Sequence, residues 1–313
     1  MKTIDRKVMR DLLGMKGQAI AIAFVIASGV ATFIMSVSTM QSLKLTQETF
    51  YRDYRFSEVF ASVKRAPDGL RKRIQDIPGV EQVDTRVVAA VNIDIRGFPD
   101  PVTGHLISIP DIGEPLLNKL YLRQGRLVDP LRDDEVVIGE SFAGAHGFGP
   151  GDELAVIING RHKDLTIVGI ALSPEHLYQM PPGAVFPDFE RYGIMWMGRT
   201  RLGTAYNMEG AFNDVTLTLT RSANINDVID RLDELLAPYG GLGAYSRKDQ
   251  LSHRYLSEEF RQLEQMAAMF PVIFLGVAAF LLNMVISRLI NMQREEVAAL
   301  KAFGYNNIDI GIH

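Results

Sequence analysis

The chain has 313 residues and no cysteine, which excludes disulfides, thiol chemistry and cysteine-bearing zinc sites. Hydrophobic residues are 47% and charged residues 22%, an ordinary globular balance, so any membrane character is confined to local stretches. A net charge of −4, with no basic stripe interleaved with aromatics, argues against nucleic acid as a partner.

The first sixteen residues carry Lys2, Arg6, Lys7, Arg10 and Lys16, and from Gly17 to Leu43 there is no charged residue. About 20 apolar residues at 1.5 Å each cross the roughly 30 Å hydrocarbon layer, so residues 17–40 are expected to span a membrane. A cleaved signal peptide is the alternative, but this apolar run is longer than a typical signal core and no A-x-A site closes it. Leu43, Gln47, Phe50 and Tyr54 then recur at helical spacing, which predicts a stalk over 41–56.

Short strands and helices follow. FSEVFASVK reads as a strand and PDGLRKRIQDIPGV as a helix, with Pro67 at its start and Gly79 past its end. VEQVDTRVVAAVNIDIRG continues as strands. The same β-α-β unit returns as FNDVTLTLT, an Asn-capped helix NINDVIDRLDELLAPYG, and GLGAYSRKDQ. Between the two lies a β-rich insertion, about 105–205, with strands HLISIP, DEVVIG, DELAVIING and KDLTIVGIAL punctuated by Gly and Pro. The expected class is α+β: one interrupted porter-like subdomain of β-α-β pieces plus the insertion.

Catalytic signals are weak. GESFAG resembles a nucleophile elbow around Ser141, but its second glycine is Ala143 and no Asp and His can be assigned to it. The six histidines form no H-x-x-x-H, and adjacent Glu175 and His176 read as a surface pair. No GxxxxGK[ST] is present, so no nucleotide binds here through a P-loop, and no metal or cofactor is expected. The segment 177–208 holds the only Trp; Met195, Trp196 and Met197 are read either as a substrate or partner surface or as a lid packed on its own subdomain.

Leu256, Phe260, Leu263 and Ala267 predict a second stalk over 252–264, its face packing antiparallel against the first stalk. Residues 265–287 are uncharged and are expected to be a second span, with Pro271 one turn inside it. A buried core helix is the alternative, but the uncharged length and the small residues Gly276, Ala278 and Ala279 favour a membrane. Arg288, Arg294 and Lys301 follow, and the positive-inside rule places both ends in the cytoplasm and residues 41–264 outside. In the last segment, 288–313, Val297, Leu300 and Lys301 lie at helical spacing with Phe303 beyond them. Gly304 is suited to a left-handed helix cap. An interfacial anchor is the simpler alternative for this short amphipathic helix.

The pattern Glu296-Val-Ala298-Ala-Leu300-Lys301-Ala302-Phe-Gly304-Tyr305 after a span resembles the coupling segment of FtsX-like ABC transporter permeases. That superfamily includes the MacB efflux and lipoprotein-releasing permeases. The basic opening KVMRDLLGMKGQ, the stretch QGRLVDPLRDDEVVIGESFAGAHGFGPGDELAV and the closing LTIVGI are of the same type. The resemblance implies an inner-membrane permease whose large domain is extracytoplasmic. Implied partners are a separate ABC ATPase subunit, a second permease copy or homologue, and membrane lipid. Glu296, Val297, Leu300, Lys301, Phe303 and Gly304 are then the ATPase-coupling residues. The chain stops where a third span would begin, as in the amino-terminal part of such a permease. Two other classes stay open: a membrane-anchored binding or sensing protein without an ATPase, and a tethered hydrolase using Ser141. The substrate is not readable.

Overall fold

The computed structural model describes residues 16–292 and 294–304, in two units: residues 46–258, and the helical segments on either side of them.

The domain 46–258 is built on two sheets. The first has four antiparallel strands in the order β11-β1-β10-β2, namely β1 (Val59–Pro67), β2 (Val80–Arg86), β10 (Ala211–Leu219) and β11 (Gly241–Ser246). Helix α2 (Leu70–Gln75) links β1 to β2, and α5 (Ile225–Leu236) links β10 to β11. The two β-α-β pieces are therefore interleaved halves of one sheet. Leu70, Ile74, Val228, Leu232 and Leu236 bury the helices' apolar stripes on Val59, Phe212, Val215 and Leu217. Asn224 caps α5, its side chain accepting from the Asn226 amide at 3.1 Å. Pro67 ends β1 opposite Ala211 rather than starting α2; without an N–H it can close a strand as readily as open a helix. Gly79 has φ +98°, and a Cβ there would stand 2.8 Å from that of Ala223, so both conformation and space demand glycine.

The second sheet runs β5-β8-β6-β9-β4-β3-β7. Its strands are β3 (Val88–Asp94), β4 (Val102–Ile109), β5 (Tyr121–Gly125), β6 (Glu135–Gly139), β7 (Glu153–Ile158), β8 (Arg161–Leu172) and β9 (Tyr192–Gly198). The long strand β8 pairs with β7 through Arg161–Thr166 and with β6 from Thr166 onward, closing six strands into a small barrel. Closure removes all edges but that of β5. Leu106, Ile138, Phe142, Leu154, Val156, Leu165 and Ile167 are among the residues that fill it. Because β3 pairs in this barrel and not with β2, the insertion begins at Val87, well before the residue-105 start expected. Helices α3 (Glu140–His146) and α4 (Arg199–Ala205) follow β6 and β9.

Among the described residues two helices are long and apolar enough to cross a membrane: α1 (Lys16–Asp53) and α6 (Leu251–Met292), the latter followed by α7 (Arg294–Ala302). In each, the segments expected to be span and stalk fall within one unbroken helix. Pro271 therefore sits well inside α6 rather than near its start, a position that membrane helices tolerate when neighbouring groups absorb the freed carbonyl. In the helical unit Gly29 lies against Phe274, where a Cβ would come within 3.1 Å of the phenylalanine Cβ, and Lys44 pairs with Glu264 at 3.6 Å. The ascending and descending numbers make the pair antiparallel, with a small residue allowing close approach. Phe24, Ile34, Val272 and Phe280 are exposed, as lipid-facing side chains would be.

The stalk contacts differ from the expected face. Leu43 and Leu263 are exposed. Within the domain, Tyr51 is the buried position, its hydroxyl 3.1 Å from His253 Nδ1, while Phe50 and Tyr54 turn onto Tyr121 of β5. The barrel edge competes for the aromatic face that the second stalk was expected to cover.

Candidate functional site

Helix α7 presents the residues singled out for coupling. Val297 is half-buried, Lys301 lies in the last turn, and the Phe303 ring is 82% exposed. Gly304 takes φ +91°, its amide donating to the Lys301 carbonyl at 3.0 Å, while the Phe303 amide donates to Ala299 at 3.1 Å. The helix thus ends on a glycine in the positive-φ region. The side chains of Glu296 and Leu300, and all of residues 305–313, lie outside the described residues.

Met195, Trp196 and Met197 do not form a surface. They are the middle of β9, between β4 and β6, and are 0%, 3% and 3% exposed. Met195 and Met197 face the barrel core, and Trp196 faces a second apolar layer with Ile107, Val137 and Tyr192. A strand covered on both faces carries no polar alternation, which is why the segment did not read as a strand.

The group that sequence reasoning missed surrounds Glu175 and His176. Glu175 is buried and His176 is half-buried, its side chain 14% exposed, so they are not a surface pair. Residues 174–176 form a 3-10 turn after β8, where Ser173 accepts from the Glu175 amide at 3.3 Å. The turn points Glu175 at Arg86, which ends β2, with Nη1–Oε2 at 2.6 Å and Nη2–Oε1 at 2.9 Å. Arg86 also contacts Asp214 of β10, at 2.6 Å from Nη2 and 2.8 Å from Nε. Asn118 Nδ2 donates to Glu175 at 2.8 Å, while its carbonyl oxygen accepts from the Ser57 amide. Gln250 Nε2 donates to the Glu175 carbonyl at 2.7 Å, and Gln250 Oε1 accepts from the His253 amide at 2.7 Å. His253 meets Tyr51. One chain of hydrogen bonds therefore joins the first sheet, the barrel and the domain ends of both long helices.

Electrostatics follow from burial. Desolvation opposes the charge on Glu175, yet Arg86 and His176 beside it hold its carboxyl at about 2. Burial pushes the His105 imidazole down to about 3, helped by neighbouring His176, whose ring lies 5.7 Å away edge-on, and His176 is lowered for the same reason. His176 Nε2 is buried and has no hydrogen-bond partner among the described residues.

Beside this network, a cleft of about 350 Å³ between α2, β2, β4 and α4 is lined by two carboxylates, Asp68 and Asp84, and two guanidinium groups, Arg71 and Arg199. Arg199 bonds Asp68 at 2.7 Å and also the Thr85 carbonyl. Burial raises the Asp84 carboxyl against the pull of Arg86. Among the described residues no group of three His, Asp or Glu side chains is placed to hold a metal ion. Ser141 lies in the first turn of α3.

The family profile of the MacB-like periplasmic core domain matches residues 19–235, from the first apolar helix into α5. The chain belongs to this family. The result agrees with the resemblance to FtsX-like and MacB-type ABC transporter permeases in the sequence, and with an α+β domain flanked by two apolar helices. Two solved structures are also similar. One is the extracellular domain of the noncanonic ABC-type transporter YknZ from Gram-positive bacteria, at 11% identity and TM-score 0.38, covering 61% of this chain and 98% of that one. The other is the periplasmic region of MacB from Actinobacillus actinomycetemcomitans, at 11% identity and TM-score 0.39, covering 67% and 95%. No curated protein matches the chain. In this MacB-like core domain the buried Arg86 network sits where the insertion leaves and rejoins the first sheet, at β2 and β10.

Proposed function

We propose that the chain is the permease part of an ABC transporter of the FtsX/MacB type, which carries ATP-driven motion of a separate ATPase to an extracytoplasmic domain that exports or extracts a substrate. One observation carries the reading. In a chain of this family, a short helix with an exposed Phe303 and a glycine end follows directly on a membrane-type helix. An apolar ring at such a place is suited to a groove on a partner protein.

The arrangement that goes with it has residues 1–16 and 288–313 in the cytoplasm, spans at 17–40 and 265–287, and 41–264 outside. ATP hydrolysis belongs to the partner, and a second permease copy or homologue completes the assembly. Binding of nucleotide to the ATPase shifts the permease between two packed states, because the ATPase holds α7 differently in each. The long helices carry that shift, and the Arg86–Glu175–Gln250 network receives it where the two sheets meet.

Affinity purification of the tagged chain from native membranes tests this reading. Co-purification of a nucleotide-binding subunit, lost on deletion of 294–304, is the expected result. Recovery of no such subunit would leave a membrane-anchored sensing protein instead. Reporter fusions after Asn291 and at Gly160 should read cytoplasmic and external respectively; the opposite pair overturns the orientation.

A further inference from the structure

The barrel carries a second cavity, remote in kind from the charge-balanced cleft, and its lining is strongly one-sided. It has a volume of about 310 Å³ and lies at one mouth of the barrel. Its floor is Ile158 and Met197, both buried members of the barrel core. Barrel mouths are recurrent places for small ligands, and this volume is at the small end of the usual range. The tight turn Asn159-Gly160, with both residues at positive φ (+47° and +75°), connects β7 to β8 and forms one wall. That wall is fixed: Asn159 Nδ2 donates to the Ala205 carbonyl at 2.9 Å, and its amide donates to the Tyr206 hydroxyl at 3.2 Å.

Three cations line the cavity, Arg161, Lys163 and Arg201, against one carboxylate, Asp133. Arg161 and Lys163 alternate along β8 with the same parity as Leu165 and Ile167, which fill the barrel, so they continue its inner face to the rim. Lys163 meets Asp133 at 3.3 Å, and that pairing leaves two guanidinium groups uncompensated. Among the described residues Arg161 makes no ion pair. Among the described residues Arg201 reaches only the carbonyls of Pro130 and Leu131, at 3.5 and 3.4 Å, and its buried Nε finds no hydrogen-bond partner there. Other arginines of the barrel are satisfied: Arg126 by Glu135, Arg123 by Glu140 and Arg191 by Asp100.

The setting sharpens the contrast. Residues 44–264 hold 25 basic and 32 acidic residues, a balance of −7, yet this cavity holds an excess of two positive charges. A concave wall with one sign of charge focuses potential and concentrates the opposite ion. Guanidinium groups match anions that offer two or more oxygens, and a phosphate monoester brings close to the two negative charges the site lacks. Thr204 and Asn207 add polar groups at the rim, while Ile158 and Met197 offer carbon-bearing atoms an apolar floor.

We infer that the barrel mouth lined by Arg161, Lys163 and Arg201 is a binding site for a phosphoryl-bearing organic anion. The phosphoryl group sits between the two arginine side chains, and the organic part lies over Ile158 and Met197. The anion comes either from a soluble phosphate monoester or from a phospholipid headgroup; the chemistry recognised is the same.

The test uses the full chain in neutral detergent, with isothermal titration and thermal unfolding as readouts. The probes are inorganic phosphate, glycerol 3-phosphate, and short-chain phosphatidic acid, with glycerol and short-chain phosphatidylcholine as controls. We expect saturable binding of at least one phosphate monoester, weakened by added salt. Arg161→Gln should weaken it at least tenfold, while Arg191→Gln, at a paired arginine elsewhere, should not change it. Binding of glycerol 3-phosphate identifies a soluble source, and binding of phosphatidic acid alone identifies a lipid source. Arg201→Gln is the second variant, with unchanged Trp196 emission reporting an intact barrel. The inference is overturned if no monoester binds saturably, or if binding survives both Arg161→Gln and Arg201→Gln in folded protein.

Discussion

Arg86 and Glu175, 89 positions apart in sequence, form a two-pronged ion pair whose side chains are each only 9% exposed. Asp214 shares the same guanidinium. Arg86→Met would leave two carboxylates buried with no counter-charge, and breaking a buried pair this way typically costs about 3–5 kcal/mol. Thermal unfolding of the purified chain should show a large drop for Arg86→Met, and a smaller one when Glu175→Gln is added. Equal losses in the single and double variants would show that the ion pair is not what holds the two sheets together here.

The same cluster sets an acid limit. His105 is held at about 3 and His176 is also lowered, against an ordinary value near 6.5. A group whose folded value is depressed contributes stability that is fully present above the unfolded value and is lost as pH falls toward the folded one. Glu175, held at about 2 against 4.5, adds a loss at lower pH with the same sign. Stability should therefore fall from about pH 6.5 downward, with a ceiling of roughly 1.4 kcal/mol per pH unit for each histidine kept neutral. Unfolding midpoints measured between pH 8 and 4 check this, and His105→Asn should make the upper part of the slope shallower. A flat profile from pH 7 to 5 would contradict it.

Trp196 is the only tryptophan, so its emission reports one place in the barrel. Enclosed by Ile107, Val137 and Tyr192, it should emit in the blue range expected of an apolar site and resist quenching by acrylamide. Trp196→Ala should destabilise by about 3–5 kcal/mol, the usual cost of removing a large buried ring. Red-shifted, readily quenched emission would place the residue at a surface after all.

What could be read from residues alone, and what could not, divides along physical lines. The two long apolar helices and the β-α-β pieces were legible because hydrophobic period and length are local properties. The glycine ending α7 was legible for the same reason. β9 was not, because YGIMWMG is buried on both faces and so lacks the alternation that marks a strand. Nor was the role of Glu175: whether a carboxylate beside a histidine is solvated or buried depends on Arg86 and Asp214, which only the fold brings to it. The start of the insertion was misplaced because β2 and β3 differ by one residue of linker, Val87, with no turn signal between them. The charged barrel mouth was invisible too, since Arg161, Lys163 and Arg201 come from two separate elements.

The end of α7 offers the most direct test of coupling. Gly304 holds a positive φ at no steric cost, whereas a β-branched residue there costs on the order of 1 kcal/mol or more. Phe303 is exposed, and Leu300 stands one turn before it; a partner groove that buries a leucine side chain gains roughly 1.5–3 kcal/mol, enough to change affinity about tenfold or more. Leu300→Asp and Gly304→Val should therefore leave membrane insertion and Trp196 emission unchanged while reducing recovery of the ATPase subunit and stopping transport. The readouts are co-purification and a transport assay on the same membranes. Val297 and Lys301 variants should have smaller effects, since Val297 is half-buried already and Lys301 serves the helix dipole as well as any partner. Normal ATPase recovery and transport in both Leu300→Asp and Gly304→Val would remove α7 as the mechanical contact and leave it as an anchor for the helix before it.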